Sequence, residues 1–191
     1  MASNKKQKKE LAALQEKRSK LNSKILKIQA NLGGDEIEDY VLQDLNGKSV
    51  TLRSLFGDKK EMLLVHNMGP GCPYCTLWAD GFKGFVPYLN DRVAFVLETD
   101  LDAKKLNQFA KKRGWNYTVV SSDGSKLKKD LGFQDKDGNA PGISSLYLKG
   151  KKIMRARSDY FGPGDLYCSV WPMLDLLKDG PGKWEPNYNL R

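Results

Sequence analysis

Two cysteines separated by two residues, Cys72-Pro73-Tyr74-Cys75, are the part of this 191-residue chain best suited to chemistry. They follow an apolar run, Met62 to Met68, that reads as a buried strand closed by Gly69-Pro70-Gly71. Pro73 suits the first helical position, where its missing N–H would have had no intrahelical partner. At a helix start the free backbone N–H groups and the positive end of the helix dipole converge on the first cysteine and raise its thiolate fraction. Cys72 is therefore the expected nucleophile. Cys75, one turn further and less exposed, is the expected resolving thiol that attacks a mixed disulfide on Cys72. Half of a four-cysteine zinc site has the same spacing. With three cysteines, one His and no second pair in the chain, the spacing reads as redox chemistry, and neither a metal nor a cofactor is expected beyond the cysteine pair itself.

Four other side chains near the pair have two readings each. His66 precedes Cys72 by six residues, the separation at which thioredoxins keep a buried carboxylate that accepts the resolving thiol's proton, and an imidazole could serve that need. Because the Gly69-Pro70-Gly71 loop can displace the register, a structural His at a strand end is the preferred reading. Asp80, five residues beyond Cys75, either orients the exchanging proton or ties down a neighbouring loop. Trp78 belongs to the stripe Trp78, Phe82, Phe85 and Leu89, spaced as the core face of one helix, and is read as core rather than as a substrate platform. Cys168, near the start of the final helix, is either a second resolving cysteine or free thiol or, the preferred reading, a small buried hydrophobe.

The elements that must position these residues alternate. After the strand and the cysteine helix come a strand at Val93 to Leu97, a helix from Asp100 to about Arg113 and a strand at Tyr117 to Val120. A short helix over Ser125 to Leu131 follows, then a hairpin of Ser144 to Leu148 with Ile153 to Arg157, and a last helix begins near Leu166 with Val170, Met173, Leu174 and Leu177 on one side. Upstream, Val41-Leu42 and Val50-Leu52 flank Asn46-Gly47, the signature of a two-residue type I′ turn. This order predicts an α/β domain with a mixed sheet covered by helices on both faces, in the layout of a thioredoxin-like fold.

The first thirty residues differ from the rest. They hold nine Lys and Arg against two Glu, hence +7 of the total +9, so the folded body offers no case for nucleic-acid binding. Leu11, Leu14, Leu21, Ile25, Ile28 and Leu32 follow a 3-4 spacing, with Arg18 as the polar exception, up to Gly33-Gly34. The division is thus a basic helical arm at 1–34, a thioredoxin-like domain at 35–180 and a C-terminal tail at 181–191. The arm's seam over 11–32 needs either a partner, giving a homodimer, or the body of its own domain. No apolar run is long enough for a membrane span, and none follows the first basic residues as a secretory leader requires. The expected location is the cytoplasm, with no membrane or nucleic-acid partner.

The run Gly71-Cys72-Pro73-Tyr74-Cys75-Thr76-Leu77-Trp78-Ala79-Asp80-Gly81-Phe82 resembles the signature of the thioredoxin-like family known as domain of unknown function (DUF) 899. Arg113-Gly114-Trp115, Val120 to Ser125, Pro141-Gly142-Ile143-Ser144 and Ser158-Asp159-Tyr160 resemble that family in order and spacing. The resemblance implies a dithiol–disulfide oxidoreductase with Cys72 and Cys75 as its catalytic residues, and Trp78 and Asp80 as motif positions without an assigned role. Glutaredoxins also carry Pro-Tyr between their cysteines, which implies a potential near theirs, about −200 to −230 mV. Those proteins and thioredoxins place a cis-proline before the strand that faces the cysteines. Here Ile143-Ser144-Ser145 precede Leu146, and Ser144 is the candidate for that place, as Thr is in the peroxiredoxin branch.

The function expected is therefore exchange with a protein or small-molecule disulfide, with a separate thiol reductant regenerating the pair. A peroxiredoxin-like thiol peroxidase is the second reading, against which Met68-Gly69-Pro70-Gly71 does not supply the usual Pro-x-x-x-Thr/Ser-x-x-Cys. A non-catalytic binding module assembled through the N-terminal helix is the third, and it has no need of two thiols at a helix start.

Overall fold

The computed structural model describes residues 2–187 and separates into two compact units, Met1–Gly34 and Asp35–Arg191. The first unit is one helix, α1 (Ala2–Asn31), on which Leu11, Leu14, Leu21, Ile25 and Ile28 are exposed.

The second unit begins with β1 (Asp35–Ile37), β2 (Val41–Gln43), β3 (Ser49–Thr51), a 3-10 turn (Arg53–Phe56) and β4 (Glu61–Asn67). It continues through α2 (Pro73–Phe82), α3 (Val86–Arg92), β5 (Ala94–Thr99), α4 (Ala103–Arg113), β6 (Thr118–Ser121) and α5 (Leu127–Asp130). A small hairpin of β7 (Gln134–Asp135) and β8 (Gly138–Asn139) precedes β9 (Gly142–Lys149), β10 (Lys152–Tyr160) and α6 (Val170–Leu174). One eight-stranded sheet runs in the order β1-β10-β9-β4-β5-β6-β2-β3. β4, β5 and β6 are parallel and β9 is antiparallel to β4, so the sheet is mixed.

β4 and β5 are central, and their near-continuous apolar sequence follows from burial on both faces. Side chains alternate between those faces. Val65, Phe95 and Leu97 pack with Trp78, Phe82 and Leu106 beneath α2 and α4, whereas Met62, Leu64 and Val96 pack with Phe56, Leu127 and Phe133 on the other side. The second layer is covered by the 3-10 turn and α5.

Four expectations need correction. The stripe from Trp78 to Leu89 is not one helix: α2 stops at Phe82 and α3 starts at Val86, leaving Phe85 exposed and Val86 buried. Pro87 explains the break, since in a continuous helix its ring would meet the carbonyl of Lys83 and its missing N–H would leave that carbonyl unpaired. The last helix is one short turn, α6, that buries Trp171, while Met173 and Leu177 are exposed. The β2–β3 connection is not type I′, because that turn needs positive φ at both central residues and only Gly47 has it; the Asp44 carboxylate organises a longer loop by accepting from Asn46 N–H and Lys48 N–H. Finally, the tail does not separate at 181, for Trp184 packs edge-on against Trp171 with ring centroids 6.0 Å apart; residues 188–191 of that expected tail lie outside those described.

Gly142 opens β9 opposite His66, where a Cβ would collide with the Phe133 ring and the Asp159 carbonyl oxygen. Gly142→Ala is expected to lower stability by about 1–3 kcal/mol, because one of the colliding groups is backbone and cannot rotate away. Denaturant unfolding measures it, and a loss below about 0.5 kcal/mol would show that the strand shifts freely.

Candidate redox site

Cys72 is the N-cap of α2, with Pro73 at the start of the helix. Its sulfur accepts a hydrogen bond from Cys75 N–H at 3.1 Å, and its carbonyl accepts from Thr76 N–H at 3.2 Å. The residue is half-exposed, whereas Cys75 is buried behind it. A hydrogen bond from the Cys75 thiol, helped by the Cys75 and Tyr74 amides and opposed by burial, lowers the Cys72 thiol to about 7. The same contact, together with burial and the charge on Cys72, pushes Cys75 up. The pair is thus divided into a half-exposed sulfur whose ionisation is favoured and a buried one whose ionisation is disfavoured. Both result from the helix start, since the chain turns from an extended N-cap into α2 within one residue.

Asn67, at the end of β4, holds the loop that presents Cys72. Its amide nitrogen donates to the Cys75 carbonyl at 3.1 Å and its amide oxygen accepts from Gly69 N–H at 2.7 Å. Sequence reasoning missed this residue, although an amide ending an apolar strand just before a Gly-Pro-Gly loop is a recognisable turn organiser.

The structure places His66 and Ser144 on the face of the sheet away from the sulfurs. His66 alternates with Val65 and points into the layer opposite α2, stacked on Phe133 with centroids 3.8 Å apart. Its Nδ1 lies 2.7 Å from Glu98 Oε1 and its Nε2 lies 2.8 Å from Ser144 Oγ. Burial pushes the imidazole down, so the neutral ring donates from Nδ1 to Glu98 and accepts from the Ser144 hydroxyl. His66 consequently does not face Cys75. Ser144 likewise lies on that far face, opposite Leu64 in the sheet, and its neighbour Ile143 packs in the cysteine layer instead. Strand parity explains both results: one residue along a strand reverses the face.

Asp80 accepts from Trp115 Nε1 at 2.8 Å and pairs with the Arg113 guanidinium, so it ties α2 to the segment after α4. Trp78 is a core residue among Phe161, Tyr74 and Trp171. Cys168 is buried in the same layer and lines a cleft of about 330 Å³ beside Pro73 and Leu77. Among the described residues no cluster of three or more His, Cys, Asp or Glu is placed to hold a metal, and no helix is long and apolar enough to cross a membrane.

Behind β4 lies a group that sequence reasoning also missed. Lys128, on α5, is 1 % exposed, and its ammonium donates to the Asn67 carbonyl at 2.6 Å and lies 3.2 Å from Glu98 Oε1. Ser122 donates to Glu98 Oε2 at 2.6 Å. Burial alone would raise the Glu98 carboxyl, but Lys128, His66 and Ser122 outweigh it and hold the group below its ordinary range. Glu98 directly after Phe95-Val96-Leu97 was a usable signal, a charge inside an apolar strand. Lys128 gave none, because Lys126 and Lys129 flank it and only the short helix decides which one turns inward.

A mixed sheet with the cysteine pair at the start of the helix after its central strand defines a thioredoxin-fold protein with a vicinal dithiol site. Over residues 1–189 the chain matches the family described as "Bacterial protein of unknown function (DUF899)", and it belongs to that family. It is also similar to chloroplastic peroxiredoxin Q of Triticum aestivum, 28% identical over 119 residues, which are 61% of this chain and 54% of the wheat protein. The match thus spans about half the length of that curated relative. Among solved structures, a cysteine-to-serine variant of Xylella fastidiosa PrxQ superposes with a TM-score of 0.56 at 14% identity, covering 68% of this chain and 85% of that one. Peroxidoxin BcpB of Mycobacterium tuberculosis gives 0.51 at 19% identity, covering 65% and 85%. These likenesses establish the thioredoxin fold.

With Cys72 lowered to about 7, its alkylation rate is expected to fall as pH drops through that value and to level off above it. Peptide mapping after brief iodoacetamide treatment at neutral pH should find Cys72 labelled first. Earlier labelling of Cys75 or Cys168 would reverse the assignment of the nucleophile.

Proposed function

We propose that the protein is a thiol–disulfide oxidoreductase in which Cys72 is the nucleophile and Cys75 the resolving thiol. The observation that carries the reading is the unequal pair itself: an N-cap sulfur that accepts an amide hydrogen bond, backed by a buried thiol one turn later. The Cys72 thiolate attacks one sulfur of a substrate disulfide, the S–S bond breaks, and the first thiolate leaves and takes a proton from water. Cys75 then loses its proton and attacks Cys72 Sγ, and the second substrate thiolate departs. The substrate gains two electrons and the protein is left with a Cys72–Cys75 disulfide, which a separate thiol reductant returns to the dithiol. The proposed substrate is a protein or small-molecule disulfide, and the proposed setting is the cytoplasm, where thiols are kept reduced.

A second reading, thiol peroxidase, is favoured by the likeness to peroxiredoxin Q. In it Cys72 attacks a hydroperoxide, the O–O bond breaks to give a sulfenic acid and an alcohol or water, and Cys75 condenses with the sulfenic acid to release water. The two readings share both cysteines and differ in the oxidant.

Insulin-disulfide reduction and peroxide consumption, measured on one sample with dithiothreitol as reductant, decide between them. Cys75→Ser is expected to accumulate mixed disulfide on Cys72 under the first reading, and at least about 90% of turnover should be lost, as a missing resolving thiol requires. Cys168→Ser should retain turnover. Peroxide consumption without disulfide reduction would select the second reading, and loss of both activities in Cys168→Ser alone would overturn the pairing.

A further inference from the structure

The buried group behind β4 touches the cysteine loop at one point, the peptide between Asn67 and Met68. The Lys128 ammonium donates to the Asn67 carbonyl oxygen at 2.6 Å. In a trans peptide the C=O and N–H point in opposite directions, so the Met68 N–H points away from Lys128, on the side where the Asn67 amide nitrogen holds the Cys75 carbonyl at 3.1 Å, and its hydrogen bond to the Cys75 sulfur favours the thiolate there. The peptide thus crosses from the layer that holds α5 to the layer that holds α2. A cation on its oxygen draws electron density toward that oxygen and makes the N–H a stronger donor, the polarisation that strengthens linked hydrogen bonds in a low-dielectric interior.

We propose that Lys128 is a positioning residue for the resolving step, polarising the Asn67–Met68 peptide so that its N–H stabilises the Cys75 sulfur as it becomes a thiolate. The proposal rests on the reading of Cys75 as the resolving thiol. The need is specific: Cys75 is buried and must lose its proton in a mixed disulfide, when the Cys72 sulfur is covalently bound and can no longer act as a thiolate. The charged and titratable groups that face it are Cys72, on its own helix, and Lys128, from α5. Glu98 from β5 and His66 from β4 face Lys128 and each other rather than the sulfur. Glu98 lies 3.2 Å from the buried ammonium, and Ser122 and His66 occupy the remaining carboxylate positions. Lys128 has no part in the first step, because Cys72 takes its stabilisation from the Cys75 and Tyr74 amides at the helix start.

The test uses the full chain with Cys168→Ser and a nitrobenzoate disulfide, which releases one coloured thiolate when Cys72 attacks and a second when Cys75 resolves. Lys128→Met is expected to leave the first release within about twofold and to slow the second about tenfold at neutral pH, the equivalent of one unit in the Cys75 titration. The pH midpoint of the second release should move upward. Lys128→Met/Glu98→Gln removes both charges and should behave alike if the single variant does not fold. A second release with unchanged rate and midpoint in a folded variant overturns the proposal, as does an equal slowing of both releases, which is the mark of general structural damage. A second measurement needs no change at Lys128: in Cys72→Ser, the Met68 amide proton resonance should move as the Cys75 thiolate forms, and a constant resonance overturns the relay. If the protein with both cysteines gives only the first release, the resolving role of Cys75 fails, and the proposal falls with it for a separately visible reason.

Discussion

An ammonium and a carboxylate sealed from water destabilise a fold unless their hydrogen-bonding positions are filled, and the pair Lys128–Glu98 meets that condition within a hydrogen-bonded group drawn from five places in the chain. His66 comes from β4, Glu98 from β5, Ser122 from the turn after β6, Lys128 from α5 and Ser144 from β9. The pair can therefore be satisfied only when the centre of the sheet and its covering helix are assembled together. A shift of β4 by one residue would turn His66 toward α2 and leave Glu98 without it. The constraint acts on the cysteine loop as well, since Asn67, whose carbonyl Lys128 holds, carries the side chain that binds Cys75 and Gly69.

The two layers of the domain thus have different tasks. Beneath α2 the packing is aromatic, with Trp78, Phe82, Phe95, Phe161 and Trp171 in contact, and it holds the helix whose start presents Cys72. The tie from Asp80 to Arg113 and Trp115 fastens the last turn of that helix to the end of α4. Behind the sheet the core is mainly aliphatic, with Phe56 and Phe133, around one polar island. The Cys72 sulfur is thus carried by local helix geometry, while the strand end that supports it is fixed from behind.

Likeness to the peroxiredoxins Q is a likeness of fold, and the local chemistry of this chain is distinct within it. Gly69 lies three residues before Cys72, where Thr or Ser is usual in peroxidatic sites, and Cys75 follows within one helical turn. The first turn of α2 brings the Cys75 amide to the Cys72 sulfur at 3.1 Å.

The sequence by itself determined what is local. Cys72-Pro73-Tyr74-Cys75 after an apolar strand was sufficient to place the two cysteines at a helix start, because both sulfurs and the amides that distinguish them belong to one helical turn. The apolar runs at Met62 to Val65 and Phe95 to Leu97 were sufficient for the central strands, because burial on both faces leaves no alternation to misread. Only the tertiary structure decided what depends on parity and closure. Which face His66 and Ser144 take is reversed by a single residue of register, and no local pattern specifies it. Which of three nearby lysines turns inward depends on a four-residue helix that exists only against the sheet. Trp184 and Trp171 meet across a dozen residues of irregular chain, where periodicity carries no information. Spacing along the chain records contacts within a turn or a strand; contacts made when separate strands and a covering helix close on one another are recorded only in the fold.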